Sequence, residues 1–286
     1  MNIVGVIQAR LGSTRLPRKV LKPLLGQPML WHIVERCKRV HLLNEIVVAA
    51  PMQDAAEISH AIPGVKVLSS AKVKEDDLVG RFMGAAEAST ALLLVRICAD
   101  NPCIDPENID LLVESFVEQG YDKHVMGSNV GDWKSSKWPQ GLGAEIYSVA
   151  VLQWMDTKLE TQQEREHPHK YFHDSDKVWE PKCPLEWATK ERFDVNTPED
   201  LVCAEDVYTH FGNNTFSAEQ LRDYVEHGRD TEYIPTLTWV VPCSREASTR
   251  CESNTLSCMS RVSPYRGNSR SSQTSRGPKE IDGKPG

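Results

Sequence analysis

Short, almost uninterrupted apolar runs recur through the first hundred residues and alternate with segments that have a helical pattern. The runs are IVGVIQA (3–9), EIVVAA (45–50), VKVLSS (65–70) and LLLVRICA (92–99). The helical segments are residues 28–40, 76–89 and 106–120. A strand that is apolar on both faces is typical of a parallel sheet covered by helices on both sides. The alternation therefore predicts a doubly wound α/β fold, a three-layer Rossmann-like sandwich with a mostly parallel sheet.

The stretch from 121 to 196 gives weaker signals. YDKHVMGSN (121–129) predicts one more strand. Residues 149–174 have a helical pattern up to Pro168, where a helix is expected to end because proline cannot continue the backbone hydrogen bonding. LEWATKERFDVN (185–196) is compatible with one or two short strands.

Two segments with helix start signals follow. They are TPEDLVCAEDVYTHF (197–211) and SAEQLRDYVEHG (217–228). Thr197 is expected to cap the first helix, with Asp200 completing a capping box. Ser217 is expected to cap the second helix, which should end at Gly228.

Composition changes sharply after residue 241. Residues 242–286 carry eight Lys and Arg against four Asp and Glu, whereas the rest of the chain has 25 against 36. The segment is rich in Ser, Arg, Pro and Gly, and it buries too little apolar surface to offset its ordering entropy. We therefore predict an α/β domain over 1–235 and a disordered tail over 236–286, which is either a flexible interaction tail or a segment without a role.

The bulk properties disfavour several classes of protein. A net charge of −7 argues against a general nucleic-acid binder. No run of 18 apolar residues is present, so no membrane span is expected, and the short apolar N-terminus is interpreted as a core strand. The eight cysteines contain no C-x-x-C pair, which gives little support for a zinc site and favours a reducing cytoplasm.

The first apolar run leads directly into QARLGSTRLPRK (8–19). Residues 12–14 are small, so an anion can approach the main chain and accept from its N–H groups. The cations around them are Arg10, Arg15 and Lys19. The spacing is neither that of an ATPase P-loop nor that of a G-x-G-x-x-G dinucleotide motif. We interpret the segment as a phosphate cradle, with a basic surface turn as the alternative.

This segment and five later ones resemble one protein family. They are QARLGSTRLPRKVLKPLLGQPML (8–30), DDLVGRFMGAA (76–86), VRICADNPCIDPENID (95–110), WPQGLGAEIYSVAVL (138–152), EREHPHKYF (164–172) and RFDVNTPEDL (192–201). The pattern is similar to that of sugar nucleotidyltransferases, above all cytidylyltransferases of the acylneuraminate and CMP-Kdo synthetase type and their SpsF-like spore-coat polysaccharide branch. The resemblance runs from residue 3 to about residue 211, and Gln27 stands where the family usually has lysine.

The resemblance implies a nucleotide site on the first loop. The residues implied to bind the nucleotide are Ala9, Arg10, Leu11, Gly12, Ser13, Thr14 and Arg81. Arg15 and Lys19 are implied to act in catalysis by holding the β- and γ-phosphates. Arg81 is implied to lie near the base or the phosphates, and the alternative is a surface arginine on a helix.

Mg²⁺ is the implied metal, because a triphosphate arrives with a hard cation that prefers oxygen ligands. Asp100 follows the run at 92–99, at the carboxyl end of the predicted sheet, and is implied to bind the metal in catalysis. The second metal position matches Asn196, where the family commonly has Asp. Asp194 lies two residues earlier, on the same face of a predicted strand, so either residue is a candidate ligand.

The sugar side of the site is implied less closely. The candidate residues are Gln140, Glu145, Arg165 and His167. An arginine suits the carboxylate of a sugar acid. His167 is either a site residue or a loop histidine, whereas His169 and His173 are interpreted as surface residues.

The implied reaction joins CTP and a sugar, such as a keto-sugar acid, to give a CMP-sugar and pyrophosphate for surface polysaccharide synthesis. Positioning and charge stabilisation would dominate such a reaction. One alternative is a nucleotide-sugar-dependent glycosyltransferase, although such enzymes usually carry D-x-D and ADNP has only Asp100. The other alternative is a non-catalytic nucleotide-binding relative. A homodimer through the region 131–175 is expected, because relatives are commonly dimers.

Overall fold

Strand β1 (Ile3–Gln8) lies inside a seven-stranded sheet in the computed structural model of the protein. The structure describes residues 1–120, 125–131, 136–175 and 177–228. The tail predicted over 236–286 lies outside these residues, as do 121–124 of the strand predicted at 121–129. Among the described residues, no helix combines the length and apolarity that a membrane span requires.

The sheet is mostly parallel. The strands after β1 are β2 (Pro23–Leu24), β3 (Gln27–Pro28), β4 (Glu45–Ala49), β5 (Lys66–Leu68), β6 (Leu93–Cys98), β7 (Met126–Ser128), β8 (Glu145–Ser148) and β9 (Val178–Trp179). The order is β5-β4-β1-β6-β8-β7-β9, and β2 and β3 form a separate hairpin. Among the described strands of this sheet, β8 alone runs antiparallel to both of its neighbours, β6 and β7. Gln8 lies opposite both Ala49 and Cys98, so β1, β4 and β6 end at the same level.

Helices cover both faces of the sheet. They are α1 (Met29–Cys37), α2 (Met52–Ala61), α3 (Leu78–Ala88), α4 (Pro106–Glu118), α5 (Val149–Lys158), α6 (Gln162–Glu166), α7 (His169–Asp174), α8 (Pro198–Phe211) and α9 (Ala218–Asp223). Alternate residues of β1 enter two separate cores: Ile3 and Ile7 pack with α1, α4 and α8, whereas Val4 and Val6 pack with α3 and α5. The predicted doubly wound α/β fold is therefore confirmed.

Several local predictions were wrong. The helix expected from 149 to Pro168 is broken into α5 and α6, and α7 starts directly after Pro168. Residues 185–196 form no regular strand; a single bridge joins Arg192 to Gln140. Helix α2 was not predicted, since only Asp54 and Ile58 of its residues are buried and its apolar pattern is weak.

The helix ends follow the capping residues more closely than the apolar pattern. Thr197 and Asp200 form the predicted capping box at the start of α8, and Ser217 caps α9. However, α9 gives way to a π-helical turn (Tyr224–Gly228), so Gly228 does not end an α-helix as predicted. Gly212 does end an α-helix: it follows α8 directly and has a left-handed φ of 65°.

A buried arginine ties α1 to distant parts of the chain. Arg36 is 1% exposed, and its guanidinium donates to the carbonyl oxygens of Ile104, Asn214 and Phe216. The carboxylate of Asp105 lies 3.9 Å away. These acceptors would stay buried without a donor if the guanidinium were lost, so the side chain is held by the cost of leaving them unpaired.

We expect Arg36→Lys to lower the free energy of unfolding by about 2–4 kcal/mol, because an ammonium cannot span the three carbonyl oxygens in one plane. Urea denaturation followed by circular dichroism measures the change. Lys38→Gln, on the exposed side of the same segment, is the control and should shift stability by less than about 0.5 kcal/mol. Equal midpoints for wild type and Arg36→Lys would contradict the prediction.

Candidate active site

The candidate site lies where β1 and β6 end. The loop 9–18 leaves β1, and Asp100 lies two residues beyond β6. The segment 192–196 returns to this edge, because Val195 N donates to Asp100 O at 2.7 Å and Phe193 N to Gln140 O at 2.9 Å. Gly141 permits this close approach: at its φ of 92°, a Cβ atom would lie 2.5 Å from the backbone nitrogen of Asp194.

Lys19 lies at the centre of the site. Its Nζ donates to Asp100 Oδ2 at 3.0 Å, to Val195 O at 2.8 Å and to Asn196 Oδ1 at 3.1 Å. The side chain is 13% exposed and that of Asp100 is 30% exposed. The loop after β1, the end of β6 and the returning segment are thus joined through one ammonium group.

The carboxamide of Asn196 also lies beside the ammonium of Lys19. Its Oδ1 also accepts from Arg15 Nη2 at 2.9 Å, and its Nδ2 donates to Asp194 Oδ2 at 2.5 Å. Arg192 also donates to the carboxylate of Asp194, from Nη2 to the same Oδ2 at 2.9 Å and from Nε to Oδ1 at 3.1 Å. Of the two residues predicted as the second metal ligand, Asn196 directs an oxygen toward Asp100, and Asp194 orients the asparagine.

The oxygens around Lys19 Nζ are one carboxylate, one carboxamide and one main-chain carbonyl. Oxygen donors of these kinds suit a hard divalent cation such as Mg²⁺. Within the described ranges, no three His, Cys, Asp or Glu side chains lie together as a metal-binding group.

The loop after β1 differs in part from the predicted cradle. It leads into a single 3-10 turn (Lys19–Leu21) and a hairpin, so the dipole of an α-helix does not add to the anion-binding capacity of its amides. Leu11 N donates to Asp54 Oδ2, and Ser13 N donates to Leu11 O. Those two amides are therefore occupied, whereas in the described part of the chain the amides of Gly12 and Thr14 have no acceptor.

A cavity of about 130 Å³ opens beside the start of the loop. Its lining includes Gln8, Ala9, Arg10, Arg81, Arg96, Glu166 and His167. Arg81 is 8% exposed, so the alternative of a surface arginine was wrong. Its Nη2 donates to Glu75 O, and its Nε has no hydrogen-bond partner among the described residues. Arg10 is half-exposed and pairs loosely with Glu166 at 3.6 Å and with Glu75 at 3.9 Å.

Two of the residues that line this cavity, Gln8 and Arg96, belong to a buried polar network. Arg96 Nε donates to Gln8 Oε1, and its Nη1 donates to Glu145 Oε2 at 2.6 Å and lies 3.3 Å from His169 Nδ1. Tyr147 donates to the same oxygen of Glu145. Burial acts to raise the pKa of Glu145, but Arg96 and the tyrosine hydroxyl outweigh it and hold the pKa below its ordinary value.

Three of the predicted sugar-binding residues have structural partners. Glu145 is bound by Arg96, and Gln140 meets Phe193 through its main chain. Arg165 forms ion pairs with Asp77 and Asp156, which tie α6 to the start of α3 and to α5. The structure therefore does not bring Arg165 together with Lys19 and Asp100.

His167 lies between two cavities. It lines the cavity of Arg81 and a second cavity of about 320 Å³ that also contains Lys170 and Tyr171. Burial lowers the pKa of His167 below its ordinary value. His169, expected at the surface, instead lies beside Arg96, and burial lowers its pKa to about 4.

Sequence reasoning missed part of the site. Arg96 is a charged residue within an apolar strand, a signal that was present but not used. The main-chain oxygen of Val195 carries no side-chain signal at all. Asp54 was missed because its helix was not predicted.

A family model described as cytidylyltransferase matches residues 4–230. The chain belongs to the cytidylyltransferase family. This confirms the predicted resemblance and the prediction of a nucleotidyltransferase enzyme. Family membership also favours nucleotidyl transfer over the alternative of glycosyl transfer from a nucleotide sugar.

Similar proteins include two that are named as cytidylyltransferases. A cytidylyltransferase from Leptospira borgpetersenii superposes with a TM-score of 0.71 at 25% identity, over 82% of this chain and 99% of that chain. The Bacillus subtilis spore coat polysaccharide biosynthesis protein SpsF is 33% identical over 46% of this chain and 56% of its own length. A 3-deoxy-manno-octulosonate cytidylyltransferase of Trichlorobacter lovleyi is 34% identical over 41% of this chain. That match spans about half, 46%, of the Trichlorobacter enzyme.

The pKa of His169 gives a pH-dependent prediction. The pKa of His169 is about 4 in the folded protein and 6.5 ordinarily. Between about pH 6.5 and pH 4, the unfolded chain therefore binds a proton at this histidine and the folded protein does not. Stability should fall as pH falls through this window. We expect His169→Asn to reduce the loss of unfolding free energy between pH 7 and pH 5 by about 1–2 kcal/mol, as measured by urea denaturation.

The matched control is His60→Asn, because His60 is exposed on α2. It should leave the difference between the two pH values unchanged. If His169→Asn loses as much stability as wild type between pH 7 and pH 5, the buried neutral state assigned to His169 is wrong.

Proposed function

We propose that the protein transfers a cytidylyl group from CTP to a sugar, giving a CMP-sugar and pyrophosphate. The observation that carries the proposal is the meeting of Lys19 and Arg15, from the loop after β1, with Asp100 and Asn196 at the end of β6 and on the returning segment. Two cations and an oxygen-rich edge in one place suit a triphosphate that arrives with a divalent metal.

The loop would hold the phosphates. Among the described residues, no acceptor binds the amides of Gly12 and Thr14, and Arg15 and Lys19 bring two positive charges to the same part of the chain. Main-chain amides and a guanidinium together bind phosphate oxygens with defined geometry. These groups would stabilise the charge that develops on the departing pyrophosphate.

Asp100, Asn196 and the main-chain oxygen of Val195 would hold Mg²⁺. When bound, the ion neutralises charge on the phosphates during in-line displacement. Asp194 would act indirectly, because its carboxylate is held by Arg192 and fixes the carboxamide of Asn196.

The cavity beside Arg81 would take the base. The buried Nε–H of Arg81 offers a donor and Glu166 offers an acceptor in this cavity. A cytosine ring carries both kinds of partner atom. The sugar would approach from the side of His167, which lines the same cavity as Arg81. A keto-sugar acid for surface polysaccharide is supported by the names of the Trichlorobacter and Bacillus relatives.

A substrate panel tests the reaction. The full chain is incubated with Mg²⁺, each of four nucleoside triphosphates, and a series of keto-sugar acids, amino sugars and neutral sugars, and pyrophosphate release is followed. We expect release with CTP and one class of sugar only. Binding of CTP without pyrophosphate from any sugar would favour a non-catalytic relative instead.

Single substitutions test the residues. With the sugar that reacts, we expect Lys19→Ala or Asp100→Asn to lower kcat by an amount equivalent to about 2–4 kcal/mol of transition-state stabilisation. Arg18→Gln is the control, since Arg18 lies in the same loop but pairs with Glu57 on α2. Full turnover by Lys19→Ala at saturating CTP would show that the loop does not hold the departing phosphates.

A further inference from the structure

We propose that the ammonium of Lys19 occupies the position of the metal in the nucleotide-free protein and leaves it only when a triphosphate draws it away. The three oxygens around Lys19 Nζ, from Asp100, Val195 and Asn196, are here called the Lys19 seat. They lie 2.8–3.1 Å from the nitrogen, and the side chain is 13% exposed. The inference rests on the proposed metal-dependent function.

The seat and the ammonium match each other completely. An ammonium has three N–H donors and no acceptor, and the seat supplies three oxygens. A divalent cation in this position would be coordinated by the same oxygens, at a metal–oxygen distance of about 2.0–2.1 Å for Mg²⁺. Two cations cannot share one set of ligands at that distance, because their repulsion in a partly buried site is large.

The described groups next to the Lys19 seat do not free any of its oxygens for a metal. Arg15 contacts only Asn196 Oδ1 of the seat, and Asp194 is already held by Arg192. Asp100 is the one carboxylate among the three seat oxygens, and it pairs with Lys19. A metal that arrives alone must therefore displace Lys19 without supplying a new partner for its charge.

A triphosphate would supply that partner. Lys19 starts the 3-10 turn at the end of the loop, where the amides of Gly12 and Thr14 have no acceptor in the portion of the chain that the structure describes. Its flexible four-carbon stem can therefore turn toward phosphate oxygens bound there. Once Lys19 has left, the seat is open to the metal. Metal and triphosphate should therefore bind cooperatively, each raising the affinity for the other.

The experiment measures metal binding without nucleotide or turnover. Mn²⁺ is titrated into the full chain, and free Mn²⁺ is followed by electron paramagnetic resonance. If Lys19 fills the seat in nine molecules of ten or more, Lys19→Met should bind Mn²⁺ at least about tenfold more tightly than wild type. Lys19→Gln, which is also uncharged but keeps a donor, should show the same direction and serves if Lys19→Met does not fold.

Two controls separate the seat from a general effect of charge. Arg15→Met removes one positive charge beside Asn196 but leaves Lys19 in place, so its affinity for Mn²⁺ should rise by no more than about threefold. The double variant Lys19→Met/Asp100→Asn should lose the gain, because the carboxylate ligand is gone. Thermal melts confirm that each variant is folded.

Three results would overturn the proposal: equal Mn²⁺ affinity in wild type and the Lys19 variants, an equal gain in Arg15→Met, or a gain that survives Asp100→Asn. Pyrophosphate release by wild type is measured on the same samples. If wild type releases pyrophosphate but the Lys19 variants bind Mn²⁺ no more tightly, the Lys19 seat is rejected and the proposed function is kept. If the Lys19 variants bind Mn²⁺ more tightly but wild type releases no pyrophosphate with any substrate of the panel, the proposed function is rejected and the Lys19 seat is kept.

Discussion

The hydrogen bond from Val195 N to Asp100 O is the contact on which the candidate site depends. The two residues are far apart in sequence, and the segment that carries Val195 has no regular secondary structure to hold it in place. The bond fixes that segment against the end of β6, with Gly141 allowing the backbone of a third segment to come close behind it. This contact holds Asn196 beside Asp100, where the ammonium of Lys19 reaches both side chains.

The charges around that contact are unequal. Lys19 and Arg15 bring two positive charges, Asp100 brings one negative charge, and Asn196 brings none. An aspartate at 196 would have balanced the cluster and stood beside Asp194, whereas the asparagine can donate to that carboxylate. The surplus positive charge attracts a ligand that carries several negative charges. The same attraction would draw the ammonium of Lys19 toward such a ligand when it binds.

Much of the fold could be predicted from the sequence, because β1, β4 and β6 are apolar on both faces and α1 and α4 have clear apolar stripes. The loop and Asp100 were recognised by their position after such strands. The course of 185–196 could not be predicted, since long-range main-chain bonds to Gln140 and Asp100 hold it and no local pattern encodes them. His169 was misplaced for a similar reason: its environment is set by Arg96 of β6, far away in the chain.

The antiparallel strand β8 has a consequence for how the chain is made. Strand β6 pairs with β1 on one side, but its other neighbour is β8, which is encoded after two intervening elements. During translation the edge of β6 stays unpaired while the ribosome adds the 47 residues from Cys98 to Glu145. At typical rates of synthesis this takes roughly 2–10 s. An apolar strand with an unpaired edge is prone to associate with other chains. The nascent protein therefore passes through an interval in which chaperone protection of this edge would matter most.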